Sequence, residues 1–165
     1  MSELQDRSAN VCLPPVMDRR IETLILGSFP GQASLNAAQY YAHKHNQFWR
    51  LMSAVLDCDL AALPYRARLG ALLAHRIGLW DIIAHCERNG SLDSAIRNAR
   101  HNDFALLKRR APPLNKVCFN GKTAARCAPQ FAGQGYAILL LPSSSPAFTV
   151  PFETKLASWR RIVAD

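Results

Sequence analysis

Long apolar runs are missing from this 165-residue chain. The most apolar stretch, Ala137 to Leu141, falls far short of the roughly 20 residues that a membrane-spanning helix needs. The opening MSELQDRSAN is polar and carries no signal-peptide core. These absences point to a cytoplasmic protein with no membrane partner. Cysteine is sparse and badly spaced for cross-linking. The five cysteines, Cys12, Cys58, Cys86, Cys118 and Cys127, are odd in number and contain no C-x-x-C pair. A disulfide framework, a zinc ribbon and a four-cysteine iron–sulfur site are thereby excluded. The cysteines read mostly as small buried hydrophobes of a reduced compartment. No H-E-x-x-H run occurs, and His43 and His45 stand two apart. Zinc hydrolase and zinc deaminase chemistry therefore drops out, and neither metal nor cofactor is expected. Acidic residues are also few: 12 Asp and Glu against 20 Lys and Arg, a formal net charge of +8. That excess suits a polyanion without selecting one.

What is present is a folding composition. Hydrophobic residues make up 49% and charged residues 19%, which separates the chain from disordered sequences. The length suits one domain over 1–165, with about 1–20 as a lead-in. Glu22 to Leu26 is a short apolar run stopped by Gly27, the pattern of a buried strand. Ser28-Phe29-Pro30-Gly31 is turn chemistry. A helix begins near Gln47, with Phe48, Leu51, Met52, Val55 and Leu56 on one face. A second covers Tyr65 to His75, with Leu69, Leu72 and Leu73 inward. Ile77 to Ile83 fits either a strand or a short helix. Further helices are predicted to start at Ser91-Leu92-Asp93 and to span Asn102 to Arg110. Lys116 to Phe119 and Tyr136 to Leu141 are predicted strands, with a helical stretch from Lys122 between them. A last helix puts Phe152, Leu156, Trp159 and Val163 on one face. Buried strands alternating with helices give a layered α/β fold with a mainly parallel sheet. Ligands of such sheets lie beyond the carboxyl ends of the strands. Three strands here run into loops rich in Gly, Ser, Pro and Asn, which are expected to converge on one site.

Two segments concentrate the chemistry. Gly27 to Trp49 combines tight-turn residues with Tyr40, Tyr41, His43, His45, Asn46, Phe48 and Trp49. By composition alone this is equally a core of Tyr40, Phe48 and Trp49 with surface histidines. Leu141 to Phe148, LPSSSPAF, sets Ser143, Ser144 and Ser145 between prolines. Such a loop of hydroxyl and N–H donors suits phosphates, or it simply connects a strand to a helix. No G-x-S-x-G elbow supports a serine nucleophile. Asp81 and Glu87 are the acids nearest the loops, and a lone acid in an apolar run is commonly a structural hydrogen-bond acceptor.

Together the segments resemble the uracil-DNA glycosylase superfamily. In its mismatch-specific branch the first strand ends in G-x-N-P-G. An aromatic-Ala-His-x-x-Asn-x-Phe-Trp run follows, and a late strand ends in a Ser/Pro loop. The corresponding residues are Gly27-Ser28-Phe29-Pro30-Gly31, Tyr41-Ala42-His43 with Asn46-Gln47-Phe48-Trp49, and Leu141 to Ala147. Phe119 to Lys122 also resembles that branch. The first motif departs from it by carrying Phe29 where a catalytic Asn or Asp is expected. The hypoxanthine-DNA glycosylase family shows this same G-S-F-P-G form and places its catalytic Asn in the following run, at the position of Asn46. The resemblance extends through Gly78-Leu79-Trp80-Asp81 and Gly90-Ser91-Leu92-Asp93. Lys44 departs from relatives that often carry Pro there.

The resemblance implies a three-layer α/β/α fold and a monofunctional DNA glycosylase. Its substrate would be double-stranded DNA containing a deaminated base, hypoxanthine first, flipped from the duplex before hydrolysis of its N-glycosidic bond. Asn46 would orient the attacking water. Gly27, Ser28, Phe29, Pro30 and Gly31, with Tyr41, His43 and Asn120, would form the base pocket, Tyr41 as its stacking platform. Ser143, Ser144, Ser145 and Lys122 would hold phosphates, and Pro146, Ala147 or Phe148 would wedge into the stack. A monomer is expected. Alternatives kept open are the uracil or thymine mismatch specificity, a DNA-binding module without catalysis, and a serine hydrolase pairing Ser143, Ser144 or Ser145 with His43 or His45.

Overall fold

The computed structural model describes residues 10–164. In chain order the elements are β1 (Asn10–Val11), β2 (Thr23–Gly27), α1 (Gln32–Ala37), α2 (Phe48–Leu56), α3 (Tyr65–Ala74), β3 (Ile77–Asp81) and β4 (Ile83–Glu87). They continue as β5 (Arg97–His101), α4 (Leu107–Arg110), β6 (Lys116–Asn120), α5 (Lys122–Ala125), α6 (Ala128–Gly133), β7 (Ala137–Leu141) and α7 (Phe152–Trp159).

Four strands make a fully parallel sheet in the order β3-β2-β6-β7. Successive residues of a strand point to opposite faces, and here each face has its own core. Ile25, Ile77, Leu79, Cys118, Leu139 and Leu141 pack on one side with Phe48, Leu51, Met52, Leu72, Leu156 and Trp159 of α2, α3 and α7. Leu24, Leu26, Trp80, Val117 and Phe119 pack on the other with Leu107, Ala124 and Phe131 of α4, α5 and α6. That double burial explains why these strands read as continuous apolar runs. It also fixes three layers, α/β/α.

The register brings four strand ends together. Gly27 pairs with Asp81, Leu26 with Phe119, and Asn120 with Leu141. Asp81, Gly27, Asn120 and Leu141 therefore close their strands side by side at one edge of the sheet.

Several expectations need correction. Ile77 to Ile83 is neither one strand nor a helix: β3 and β4 lie on either side of Ile82, whose N–H donates to the Gly27 carbonyl. β4 leaves the main sheet and joins an antiparallel sheet of order β1-β4-β5. β5, RNARH, is exposed at every residue, so no apolar alternation announces it. The helix expected at Ser91 to Asp93 is a single 3-10 turn, Asp93–Ala95, and that over Asn102 to Arg110 shrinks to α4. The stretch from Lys122 breaks into α5 and α6. Val163 is 51% exposed, because α7 tightens into a 3-10 turn at Arg160–Ile162 that turns Ile162 inward instead. Within the expected lead-in, residues 1–9 lie outside the described residues, and the rest is tied to the fold. β1 pairs with β4, and Val16 exchanges hydrogen bonds with Leu79 at 2.8 Å each way. Cys58 is exposed rather than buried, whereas Cys86 and Cys118 are core residues. No helix among the described residues is long and apolar enough to cross a membrane.

Candidate active site

A cavity of about 690 Å³ opens beyond the four aligned strand ends. The residues nominated through the resemblance line it: Gly27 to Gly31, Tyr41, His43, Asn46, Asn120, Lys122 and Ser143 to Ala147, whereas His45 does not. The loops do converge.

The Gly27 to Gly31 loop is held from behind. Its carbonyls at Gly27, Ser28, Pro30 and Gly31 accept from Ile82 N, Ile83 N, Arg88 Nη2 and Leu35 N. Ser28 Oγ donates to Asp93 Oδ1 at 2.8 Å, and Ser91 Oγ accepts from Gln32 N at the start of α1. The Ser91-Leu92-Asp93 segment thus acts as a brace for the loop. Among the described residues the N–H groups of Ser28, Phe29 and Gly31 have no protein acceptor, which leaves them free to serve a bound anion or base edge. The Phe29 ring is largely enclosed. It is 6% exposed, packed in the second core with the Arg88 guanidinium carbon 5.1 Å from its centroid.

Tyr41 stands with φ +56° in the left-handed region. One face of its ring stacks on Phe48, at 4.0 Å between centroids and 16° between planes. Tyr41 also lines the cavity. Asn120 Nδ2 donates to the Tyr41 hydroxyl at 3.2 Å and to Ser144 Oγ at 3.0 Å, while Ser144 N donates to Asn120 Oδ1 at 3.0 Å. Both amide protons of Asn120 are thereby used, and only a lone pair on Oδ1 remains for a base. Ser144, expected at a phosphate, is 1% exposed, and its hydroxyl accepts from Asn120 Nδ2. Ser143 and Ser145 stay half-buried, while Pro146, Ala147 and Phe148 are exposed.

Asn46 lies just before α2, and its Oδ1 accepts from Phe48 N at 2.9 Å. This Asx-type contact fixes the amide at the cavity and, among the described residues, leaves its NH₂ and one lone pair free. His43 is exposed, its Nδ1 accepting from His45 N at 3.1 Å.

Lys155, 1% exposed, ties the two sides together. Its Nζ donates to Gln47 Oε1 at 2.8 Å and to the Ser145 carbonyl at 3.3 Å. Gln47 N in turn donates to the Ser144 carbonyl. The residues beside Asn46 and the serine loop therefore share one buried ammonium group. Sequence reasoning missed it, because a lysine in a terminal amphipathic helix reads as surface.

Asp81 lines the cavity at the end of β3 and is 4% exposed. Its Oδ2 is buried and has no hydrogen-bond partner among the described residues. A Cβ built on Gly27 would fall 2.7 Å from Asp81 Oδ1 and 3.2 Å from the Tyr41 hydroxyl. Glycine at 27 is what lets the carboxyl and the phenol share that space. Burial, with Asp93 nearby, pushes the Asp81 pKa up to about 7, against the opposing pull of Arg88. Burial first, and Asp81 second, also raise Tyr41 above the ordinary phenol range.

A family model described as the uracil DNA glycosylase superfamily matches residues 14–165. The chain belongs to the uracil DNA glycosylase superfamily. Among its relatives, a protein named hypoxanthine DNA glycosylase from Methanosarcina barkeri (strain Fusaro / DSM 804) is 40% identical over 146 residues, covering 88% of this chain and 92% of its own. A protein of the same name from Methanosarcina acetivorans is 39% identical over 149 residues, covering 90% and 94%. A solution NMR structure from Methanosarcina acetivorans, described as a candidate uracil DNA glycosylase, superposes with a TM-score of 0.83 at 39% identity, covering 93% of this chain and 98% of that one. The solved neighbour shares the architecture of the chain.

Proposed function

We propose that the protein is a monofunctional DNA glycosylase that excises hypoxanthine from double-stranded DNA. The observation that carries this reading is Asn46: a fixed amide on the rim of a cavity large enough for a nucleotide, beside a stacking aromatic and a loop with free N–H donors. The names of the Methanosarcina relatives support the choice of base.

The geometry performs the chemistry as follows. A flipped base enters between the Tyr41 ring and the Gly27 to Gly31 loop, where stacking and fixed donors hold it. As the glycosidic bond lengthens, positive charge grows on the sugar and negative charge on the base. The free N–H groups of the loop meet the developing negative charge without reorganising, which is the main source of stabilisation in such sites. Asn46 orients the water that adds to C1′. An amide is too weak a base to ionise that water, and an oxocarbenium-like sugar does not require it. Lys122, exposed at the mouth, and the net positive charge bind the backbone in a salt-dependent way. Phe148, 37% exposed at the rim, is the largest apolar side chain offered to the gap in the stack.

The test is single-turnover base release from matched duplexes carrying deoxyinosine, uracil or no damage, with wild type and Asn46→Ala side by side. Hypoxanthine release by wild type, reduced at least about 10²-fold in the variant with binding retained, supports the reading. Uracil release alone moves the specificity to the mismatch branch. Tight binding without release from any duplex overturns catalysis and leaves a DNA-binding module.

A further inference from the structure

Asp81 does not behave as the structural acceptor that its place in an apolar run suggests. Among the described residues no donor reaches its carboxyl; Asn102 Nδ2 bonds the Asp81 main-chain carbonyl instead, at 2.8 Å. A buried carboxyl without a partner is destabilising and persists where something other than stability retains it. The fold goes further and makes room for the group. A side chain at Gly27, its register partner, would collide with Asp81 Oδ1, 2.7 Å from a Cβ built there, and crowd the Tyr41 hydroxyl, 3.2 Å from it. The carboxyl borders the cavity in which the base is proposed to lie, and the first motif has Phe29 instead of a polar side chain.

We propose that Asp81 is the acid of this reaction: its carboxyl hydrogen-bonds a ring nitrogen of the flipped purine and passes it a proton as the glycosidic bond breaks. The inference rests on the glycosylase reading and deepens it. A purine, unlike uracil, has an imidazole nitrogen, N7, that accepts a proton while N9 departs. The C1′–N9 electron pair goes to the base, the Asp81 proton goes to N7, and hypoxanthine leaves as a neutral tautomer rather than an anion. Water oxygen bonds to C1′, and the proton that water loses restores the carboxyl through solvent. Water is consumed, and a free base and an abasic sugar are formed.

The task requires a carboxyl that holds its proton near neutral pH, the condition under which an acid is most useful. Its elevated pKa, arising first from burial and then from Asp93, meets that condition. The titratable and charged groups around Asp81 are Arg88 after β4, Asp93 in the brace, Tyr40 and Tyr41 before α2, and Cys12 after β1. His43 lines the same cavity and is the control for any pH effect.

The experiment is single-turnover hypoxanthine release from a deoxyinosine duplex across about pH 5.5 to 9, with wild type, Asp81→Asn and His43→Gln. Binding to a duplex carrying uncleavable 2′-fluoro-deoxyinosine is measured alongside. Wild-type rates should fall about tenfold per unit above roughly pH 7, and His43→Gln should keep that limb. Asp81→Asn should be at least about 10²-fold slower, without the limb, and should bind the uncleavable duplex nearly as wild type does. An Asp81→Asn protein that is as fast as wild type, or slower but with the limb intact, overturns the acid role. If Asp81→Asn fails to fold, the wild-type profile decides, and a flat profile over this range overturns the proposal. No release by wild type from deoxyinosine would instead sink the glycosylase reading beneath it.

Discussion

Ser144 and Asn120 grip each other by two hydrogen bonds of 3.0 Å, side chain to side chain and main chain to side chain. The pair joins the end of β6 to the loop after β7, and Asn120 extends the link to Tyr41. A contact between neighbouring strand ends thus sets the position of the aromatic wall. Ser144→Ala should cost about 1–3 kcal/mol, the usual penalty for leaving a buried polar partner unsatisfied. It should also slow base release, because Tyr41 loses part of its anchor. Ser145→Ala, which removes a hydroxyl bonded only to Ala147 N at the exposed rim, should cost no more than about 1 kcal/mol. Urea unfolding of both variants checks the difference. Equal costs would mean that the Asn120 contact contributes nothing special.

The two parts of Tyr41 have separable jobs. Its ring is held by Phe48 and its hydroxyl by Asn120. Tyr41→Phe keeps the ring and should leave discrimination between damaged and undamaged duplexes nearly intact. Tyr41→Ala removes the wall and should weaken capture of the flipped base by about 1–3 kcal/mol, the scale of base–aromatic stacking. Competition binding with damaged and undamaged duplexes measures that difference. Equal discrimination by wild type and Tyr41→Ala would make the ring a core residue only.

How much of this was legible beforehand follows from which side chains the fold buries. Thr23 to Gly27 is enclosed on both faces, so it announces itself as an apolar run. β5 is exposed throughout and lies in a small antiparallel sheet, so hydrophobic periodicity carries no trace of it. The loop residues from Gly27 to Gly31 and from Ser143 to Ala147 were legible as turn chemistry at strand ends, and the cavity unites them. The braces were not. Arg88 behind Pro30, Asp93 on Ser28 and Lys155 on Gln47 are tertiary contacts, made between residues 58, 65 and 108 positions apart. No local pattern encodes such pairs. Asp81 was visible as an acid in an apolar run, but only the glycine beside it and the missing partner set it apart from a structural residue.

Lys155 offers a direct test of these distant braces. Lys155→Met keeps most of the buried stem and removes the ammonium group that serves Gln47 and Ser145. Two acceptors lose a charged donor, and the expected destabilisation is about 1–3 kcal/mol. Because both acceptors flank the site, single-turnover release should fall while binding to undamaged DNA stays close to wild type. A variant with wild-type stability and wild-type release would show that the loops hold their places without it.

Asp81 also makes a prediction for stability that is independent of catalysis. Its folded pKa is near 7 against an ordinary value of 3.8, so the native state binds a proton that the unfolded chain has already released. Below pH 3.8 both states are protonated and the group is neutral in the balance. As pH rises from there to about 7, the unfolded chain gains by ionising while the native carboxyl cannot. Stability should therefore decline across that window and level off above it, by up to about 4 kcal/mol from this residue. Asp81→Asn removes this pH dependence. Its melting temperature should exceed that of wild type at about pH 8, and the gap should shrink as pH falls towards 4. Thermal melts of the two proteins over that range give the answer, and parallel curves would show that the carboxyl ionises as readily in the folded protein as in water.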